Sequence, residues 1–329
     1  MTGLDAGEPP SNPWNTDSPA TYTGTWLSTA IVQRHIRRKI TGSPTVAWID
    51  YCLEKYLASR LRDPSSRCLI LGANEGWIER YLRAYGCRCR ILATDIADKA
   101  LARAQEASTA LGYRDIEYRV ADLNTVEFEA PFDAIVAEGV LHHIENTERI
   151  LRHLNGILTP EGILVAQEFE GPFRFQLSET QVRWINAALA CVPGELRPAW
   201  NGPPRVPPGI DYTSHIHYII PPQDAIRAMD PTEAIAGPAL KRLCPEIFRV
   251  IEKKGVGGTL LSYMGGHFPF ELADRDPYVG RFLELLLAIE DQVIRAGILE
   301  DDFVFYVFGK NEAAACVASE AAATPFTLG

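Results

Sequence analysis

What this sequence lacks excludes several classes of function. No apolar run approaches the length needed to span a bilayer, and the N-terminus shows no basic stretch followed by an apolar one of the kind that directs export. Basic residues are in deficit, with 32 Lys and Arg against 42 Asp and Glu and a formal net charge of −10. A phosphate backbone demands a basic surface, so nucleic acid is not an expected partner. Cys52, Cys68, Cys87, Cys89, Cys191, Cys244 and Cys316 form no C-x-x-C pair, and several sit in apolar patterns. They read as reduced thiols in a cytoplasmic protein. With 47% hydrophobic and 22% charged residues, the 329-residue chain suits one large domain or a core domain with a substantial cap.

What is present is organised around Cys68-Leu69-Ile70-Leu71-Gly72-Ala73-Asn74-Glu75-Gly76-Trp77. An apolar run of four ends in a glycine-bearing turn and passes into a helix-like segment from Ile78 to Tyr85, the pattern of a buried parallel strand, a tight turn and a helix. A second apolar run, Ile91-Leu92-Ala93-Thr94, ends at Asp95. A carboxylate at the C-terminal end of a second strand can accept hydrogen bonds from both hydroxyls of a ribose. The pattern then predicts a helix over 98–111, a strand over 116–120 followed by Asp122, and a strand over 132–137 leading into Glu138-Gly139-Val140-Leu141-His142-His143-Ile144. A helix from Thr147 and a strand over 163–166 follow, with later strands at 248–253 and 303–308 and an apolar helix over 277–296.

On these residues the chain resembles the class I S-adenosylmethionine-dependent methyltransferases. The glycine turn, the acidic residue at 95, the F-D-x-I of Phe132 to Ile135, the L-H-H-I of 141–144 and the Thr159-Pro160-Glu161-Gly162 turn carry the resemblance, which covers roughly residues 65–170. The family's turn usually reads G-x-G-x-G, and here its middle glycine is Asn74, the non-glycine residue most willing to take positive φ. The resemblance implies an α/β fold with a Rossmann-like, seven-stranded, mostly parallel sheet and helices on both faces. It implies S-adenosyl-L-methionine as cofactor, held by Gly72, Asn74, Gly76, Asp95, Ile96, Asp122, Leu123 and Glu138. Asp122 would bind the adenine amino group; its plainer reading is a turn aspartate satisfying its own loop.

Around the core over 63–170, we expect a disordered tail over 1–20, a helical lid over 21–62, a substrate cap over 171–245, the end of the sheet with a helical excursion over 246–310, and a flexible tail over 311–329. Arg34, Arg37, Arg38 and Lys39 crowd the first lid helix, a solvated face or an anion site. In the cap, Ser178-Glu179-Thr180-Gln181 is a capping box opening a helix, and the proline-rich stretch from Pro193 to Pro222 forbids regular structure. Gly171-Pro172-Phe173-Arg174-Phe175-Gln176 and the later Asp230 to Ala234 look like motifs of bacterial methyltransferase-domain proteins with elaborated caps.

Methyl transfer is an in-line displacement at carbon, so the protein chiefly positions the acceptor and deals with its proton. His142 and His143, just past the fourth strand, are the candidate catalytic residues, His142 as a base; the plainer reading is a shaped pocket wall. His35, Arg174, Gln176 and His217 are the candidate acceptor contacts, with loop capping the alternative for Arg174 and Gln176. No metal is expected, because His215-x-His217 with Asp211 lies in the proline-rich loop and not on a strand. The absence of Asn-Pro-Pro-Tyr after strand four argues against adenine and amide-nitrogen acceptors. The expected activity is methylation of O or N on a small natural-product or sugar-type acceptor, with a homodimer allowed. The alternatives are a methyltransferase fold without methyl transfer, such as a cyclase or a cofactor-binding scaffold, and a protein-modifying methyltransferase.

Overall fold

The computed structural model describes residues 13–17, 24–129, 131–196 and 218–314. Seven strands form one sheet: β1 (Arg67–Leu71), β2 (Arg90–Asp95), β3 (Ile116–Val120), β4 (Phe132–Glu138), β5 (Leu158–Phe169), β6 (Arg249–Gly257) and β7 (Phe303–Gly309). Their order across the sheet is β3-β2-β1-β4-β5-β7-β6. β1 to β5 run parallel, and β7 inserts between β5 and β6, antiparallel to both. This bears out the expected mostly parallel sheet. The order reverses between β1 and β4, so the loops after these two strands diverge and open a crevice at their C-terminal ends.

Alternation along the buried strands supplies two core layers. Cys68 and Ile70 of β1, Ala134 and Val136 of β4 and Val307 of β7 face one layer; Leu69 and Leu71, Ile135 and Phe308 face the other. Strands covered on both sides read as unbroken apolar runs, which is why β1, β4 and β7 stood out in the sequence. The first layer is filled by α1 (Ala30–Thr41), α2 (Trp48–Cys52), a π-helical turn Leu53–Leu57, α3 (Ala58–Leu61), α4 (Trp77–Tyr85), α5 (Asp98–Ala110), and, from later in the chain, α7 (Glu179–Cys191) and α10 (Pro277–Arg295). The second is filled by α6 (Thr147–Ile157) and α9 (Gly237–Ile247), with α8 (Gln223–Met229) preceding the latter in the cap. Half of the expected capping box is present: the Ser178 hydroxyl accepts Gln181 N–H, while the Gln181 side chain donates to Thr259 and Asp302.

Two parts differ from the sequence expectation. Helix α9 was not foreseen because Pro238 and Pro245 punctuate it, yet Leu240, Leu243, Cys244 and Ile247 keep helical spacing and are buried. Residues 13–17 of the expected disordered tail make defined contacts: Asn15 Oδ1 accepts Lys99 N–H at 3.1 Å, Asp17 pairs with Lys99 Nζ at 2.7 Å, and Arg103 donates to Thr16 O at 2.8 Å.

The lid helix is fastened to α10 by charge. Asp291 takes Lys39 Nζ at 3.0 Å and His35 Nε2 at 3.3 Å, and Lys39 also reaches Asp301 at 3.4 Å. Burial alone would raise the Asp291 carboxyl, but the His35 hydrogen bond and the Lys39 ammonium outweigh it and hold it down at about 2. A carboxylate whose pKa is depressed on folding contributes stability above its unfolded value and loses it as pH falls towards the folded one. Asp291→Asn should therefore cost about 1–2 kcal/mol near neutral pH. Urea midpoints of wild type and variant should converge as pH falls from about 4 to about 2; a gap that stays constant across that window would refute the pairing.

Candidate functional site

The chain leaves β1 through a turn in which Gly72, Asn74 and Gly76 all have positive φ, at 65°, 46° and 76°. Asn74 thus adopts the conformation that a glycine would hold there, as its short polar side chain allows. A Cβ at Gly72 would stand 2.7 Å from that of Val140, and one at Gly76 2.7 Å from that of Ala104. Both positions need glycine for packing as well as for φ. Asp95, closing β2, accepts Asn74 N–H on Oδ2 at 2.8 Å and Ala97 N–H on Oδ1 at 2.9 Å. Each carboxylate oxygen keeps a second lone pair, so the group is fixed in place and can still receive two hydroxyls. Ile96 beside it is 47% exposed, an apolar surface at the mouth.

Beyond β3, Asp122 Oδ1 accepts both the backbone and side-chain N–H of Asn124, the local-turn role weighed for it. Among the described residues nothing donates to its Oδ2, and Leu123 is buried beneath. Glu138 ends β4 and accepts Trp77 Nε1 at 3.0 Å; burial pushes its carboxyl up to about 7. Trp77 meets Trp48 of α2 edge to face at 5.9 Å, which brings the second lid helix to this end of the sheet. The groups present suit an adenosine-bearing cofactor: two accepting oxygens of Asp95 for a diol, an apolar flank, a further acceptor at Asp122 and a glycine turn whose backbone a ligand can approach.

The loop after β4 holds the histidines. Glu168, at the end of β5 and buried, takes Val140 N–H at 3.0 Å and Leu141 N–H at 2.9 Å on Oε1, and His142 Nδ1 at 2.9 Å on Oε2. His142 Nε2 is left facing Glu233 Oε1 at 3.9 Å. His143 lies 4.1 Å from His142 ring to ring, with its Nδ1 at 3.2 Å from Thr232 Oγ1 and 3.6 Å from Asp230 Oδ2. Trp14 packs edge-on against His143 at 5.2 Å. Burial pulls both imidazoles towards the neutral form. At His143 burial and the neighbouring His142 charge bring the pKa down to about 4, whereas at His142 the bond and charge of Glu168 outweigh burial and hold it above its ordinary value. Burial also raises the Glu233 carboxyl. The two rings are thus pushed in opposite directions, His142 towards holding a proton and His143 towards the neutral form.

The other expected acceptor contacts sit elsewhere. His35 is occupied with Asp291 between α1 and α10. Gln176 donates to Arg174 O and Pro221 O, the loop-capping alternative. Arg174 is buried with φ 47°, and its Nη2 donates to Pro231 O at 2.7 Å, which ties the first cap motif to the second. His217, with His215 and Asp211, lies outside the described residues. A hollow of about 510 Å³, lined by Arg34, Arg37, Gln33, Ser28, Thr45 and Asp274, flanks α1 and shares no residue with the strand-end crevice. Of the basic residues of the lid helix only Arg34 and Arg37 line it, and the convergent acid and imidazole groups are at the strand ends, which is the site we follow. Sequence reading missed Glu168 altogether; its signal was a carboxylate closing the apolar run of β5.

Residues 69–166 match the model of a methyltransferase domain. An uncharacterized methyltransferase of Mycobacterium tuberculosis is 31% identical over 137 residues, a match spanning 40% of this chain and 66% of that protein's length. A malonyl-[acyl-carrier protein] O-methyltransferase of Bacillus cereus is 27% identical over 105 residues, 32% of this chain and 38% of that one. Among solved structures, the [4+2]-cyclase SpnF gives a TM-score of 0.44 at 15% identity, over 85% of this chain and 93% of that one. An S-adenosylmethionine-dependent methyltransferase from Mesorhizobium loti gives 0.42 at 18%, over 74% and 90%. Likenesses of that size say nothing about the reaction.

The geometry makes Glu168 the support of the whole loop. Glu168→Ala removes a charged acceptor from two backbone N–H groups and one imidazole, and should cost about 2–4 kcal/mol. Hydrogen exchange at the Val140 and Leu141 amides should accelerate while exchange in β1 and β4 is unchanged relative to global stability. Unaltered protection of these two amides would show that the carboxylate does not hold the loop.

Proposed function

We propose that this chain, whose residues 69–166 match a methyltransferase domain, is a class I S-adenosylmethionine-dependent methyltransferase that transfers a methyl group to an oxygen or nitrogen of a small acceptor at the His142–His143 cluster. Bound in the crevice, the cofactor supplies a methyl carbon made electrophilic by its sulfonium sulfur. Asp95 receives the ribose hydroxyls, the 72–76 turn admits the methionine portion by backbone, and Asp122 with Ile96 and Leu123 meets the adenine. Glu138, with Trp77 and Trp48 about it, stands nearer the amino-acid end. His142 presents Nε2 to the acceptor because Glu168 engages the opposite nitrogen, which fixes the ring's direction. Residues 230–234 close the acceptor side, and Trp14 covers His143.

The observation that carries the reading is the coincidence of the two halves. A diol-ready carboxylate at Asp95 and a positioned imidazole at His142 stand at the ends of β2 and β4, on opposite flanks of the β1 turn. In-line transfer needs a held donor and a held acceptor side by side, and this arrangement supports one on each flank. A cytoplasmic setting and a natural-product or sugar-type acceptor belong to this proposal.

Calorimetry with S-adenosylhomocysteine tests the cofactor half. Wild type should bind it, and Asp95→Ala should weaken binding by roughly 10- to 100-fold as two hydrogen bonds to a charged acceptor are lost. Equal affinity in the variant would remove Asp95 from the site, and binding of a nicotinamide dinucleotide in its place would overturn the reading. For the acceptor half, His142→Ala should lower turnover by about 10²–10⁴-fold with cofactor affinity nearly unchanged. A variant within a few-fold of wild type would reduce His142 to a wall of the pocket and leave methylation to proximity.

A further inference from the structure

We propose that His142, His143 and Glu233 form a binding site for one divalent transition-metal ion of the zinc, iron or manganese class. One ligand atom from each lies within 4.8 Å of the other two, and the group is buried or half-buried. Two imidazole nitrogens and one carboxylate oxygen are a donor set that such ions take while keeping positions open for other ligands.

Three further observations point to a missing cation. First, His142 is already held as a metal-bound histidine is held: its remote nitrogen is engaged by a carboxylate, Glu168, at 2.9 Å. Second, the acidic groups outnumber the imidazoles they face. Glu168, Glu233 and Asp230 converge on the two rings, and among the described residues no Lys or Arg pairs with any of them. Asp230 is 8% exposed, and its Oδ2, which faces His143, has no hydrogen-bond partner. A buried carboxylate oxygen without a donor costs enough that a partner is expected. Third, the segment that delivers Glu233 is strained and pinned. Ala234 has φ 53°, Arg174 N–H donates to Ala234 O at 2.8 Å, and Ala236 N–H donates to His142 O at 3.0 Å. Strain maintained by tertiary bonds marks a geometry that the fold imposes.

The 3.9 Å from His142 Nε2 to Glu233 Oε1 exceeds the roughly 3–3.5 Å between ligand atoms that share a metal at about 2.0–2.2 Å. Glu233 is only half-buried and its carboxylate accepts no hydrogen bond among the described residues, so a side-chain rotation closes the gap. Asp230 Oδ2 is placed to serve as a further ligand or to orient His143. With His142 Nε2 given to the ion, that ring would meet the acceptor through the ion and not as a base; an oxygen of the acceptor would complete the coordination, which narrows the acceptor class to molecules with a hydroxyl or carboxylate near the methylated atom. This last step rests on the methyltransferase reading; the metal site does not.

Cobalt(II) titration of the chelator-treated full chain tests the site. Visible absorption bands saturating at one equivalent, displaced by zinc, are expected, with His143→Asn and Glu233→Gln each weakening binding more than 100-fold. Glu168→Gln, which keeps the fold's shape but not the charge, should weaken it by about 10- to 100-fold. Wild type that takes up no cobalt or zinc stoichiometrically overturns the inference by itself, as do variants that bind as tightly as wild type. S-adenosylhomocysteine calorimetry on the same samples separates the two ideas: metal uptake without cofactor binding defeats the methyltransferase reading and leaves the site, and the converse defeats the site alone.

Discussion

The site depends on one buried carboxylate. Glu168 engages the Val140 and Leu141 amides and the His142 ring at once. Through Val140, whose side chain lies against Gly72, it also sets the ceiling of the turn after β1. The acceptor residues and the cofactor turn are therefore one mechanical unit with a charge at its centre. In a low-dielectric interior such a charge is tolerated only when several donors converge on it. Here the donors are the loop itself, so the loop cannot relax without exposing a charge.

Elsewhere the same device recurs at lower stakes. Glu290 of α10 accepts the amides of Gly258, Leu260 and Leu261, and Asp302 accepts Gln181 Nε2 and the Tyr263 hydroxyl. These bonds secure the excursion after β6 to α10, and helix α7 with Tyr263 to the residue that precedes β7. Burial raises the carboxyls of both Glu290 and Asp302, the direction expected where desolvation outweighs the donors. The irregular parts of the molecule are thus held by carboxylates on regular elements or directly beside them, which lets long loops carry chemistry without a sheet of their own.

Local signals explain what was legible in the chain. β1, its turn and Asp95 are specified by residues close in sequence, so apolar runs and positive-φ residues were enough, down to Asn74 standing where glycine would. The cofactor half of the site reads in the same way. The acceptor half does not, because its geometry is made by residues ninety apart: Glu233 meets His142 only after the cap has crossed the sheet. His35 shares a face with core residues of α1, and nothing local foretells that Asp291 waits opposite. Helix α9 was hidden because prolines at 238 and 245 outweigh, in any local reading, the apolar spacing that tertiary burial rewards.

The cap shows why sequence motifs there could be noticed without being understood. Non-glycine residues with positive φ occur at Arg174, Phe175 and Ala234, and each costs on the order of 1–3 kcal/mol. Taken alone, neither segment has reason to adopt that backbone. Together they do, since Arg174 N–H and its Nη2 hold Ala234 O and Pro231 O, and the strained pair is seated on His142 O through Ala236 N–H. Each motif is thus half of a joint whose second half is some sixty residues away. The joint's effect is to turn the Glu233 carboxylate towards an imidazole whose direction Glu168 has already fixed. Strain in the cap and charge in the core act on the same few ångströms, one aiming the carboxylate and the other aiming the ring.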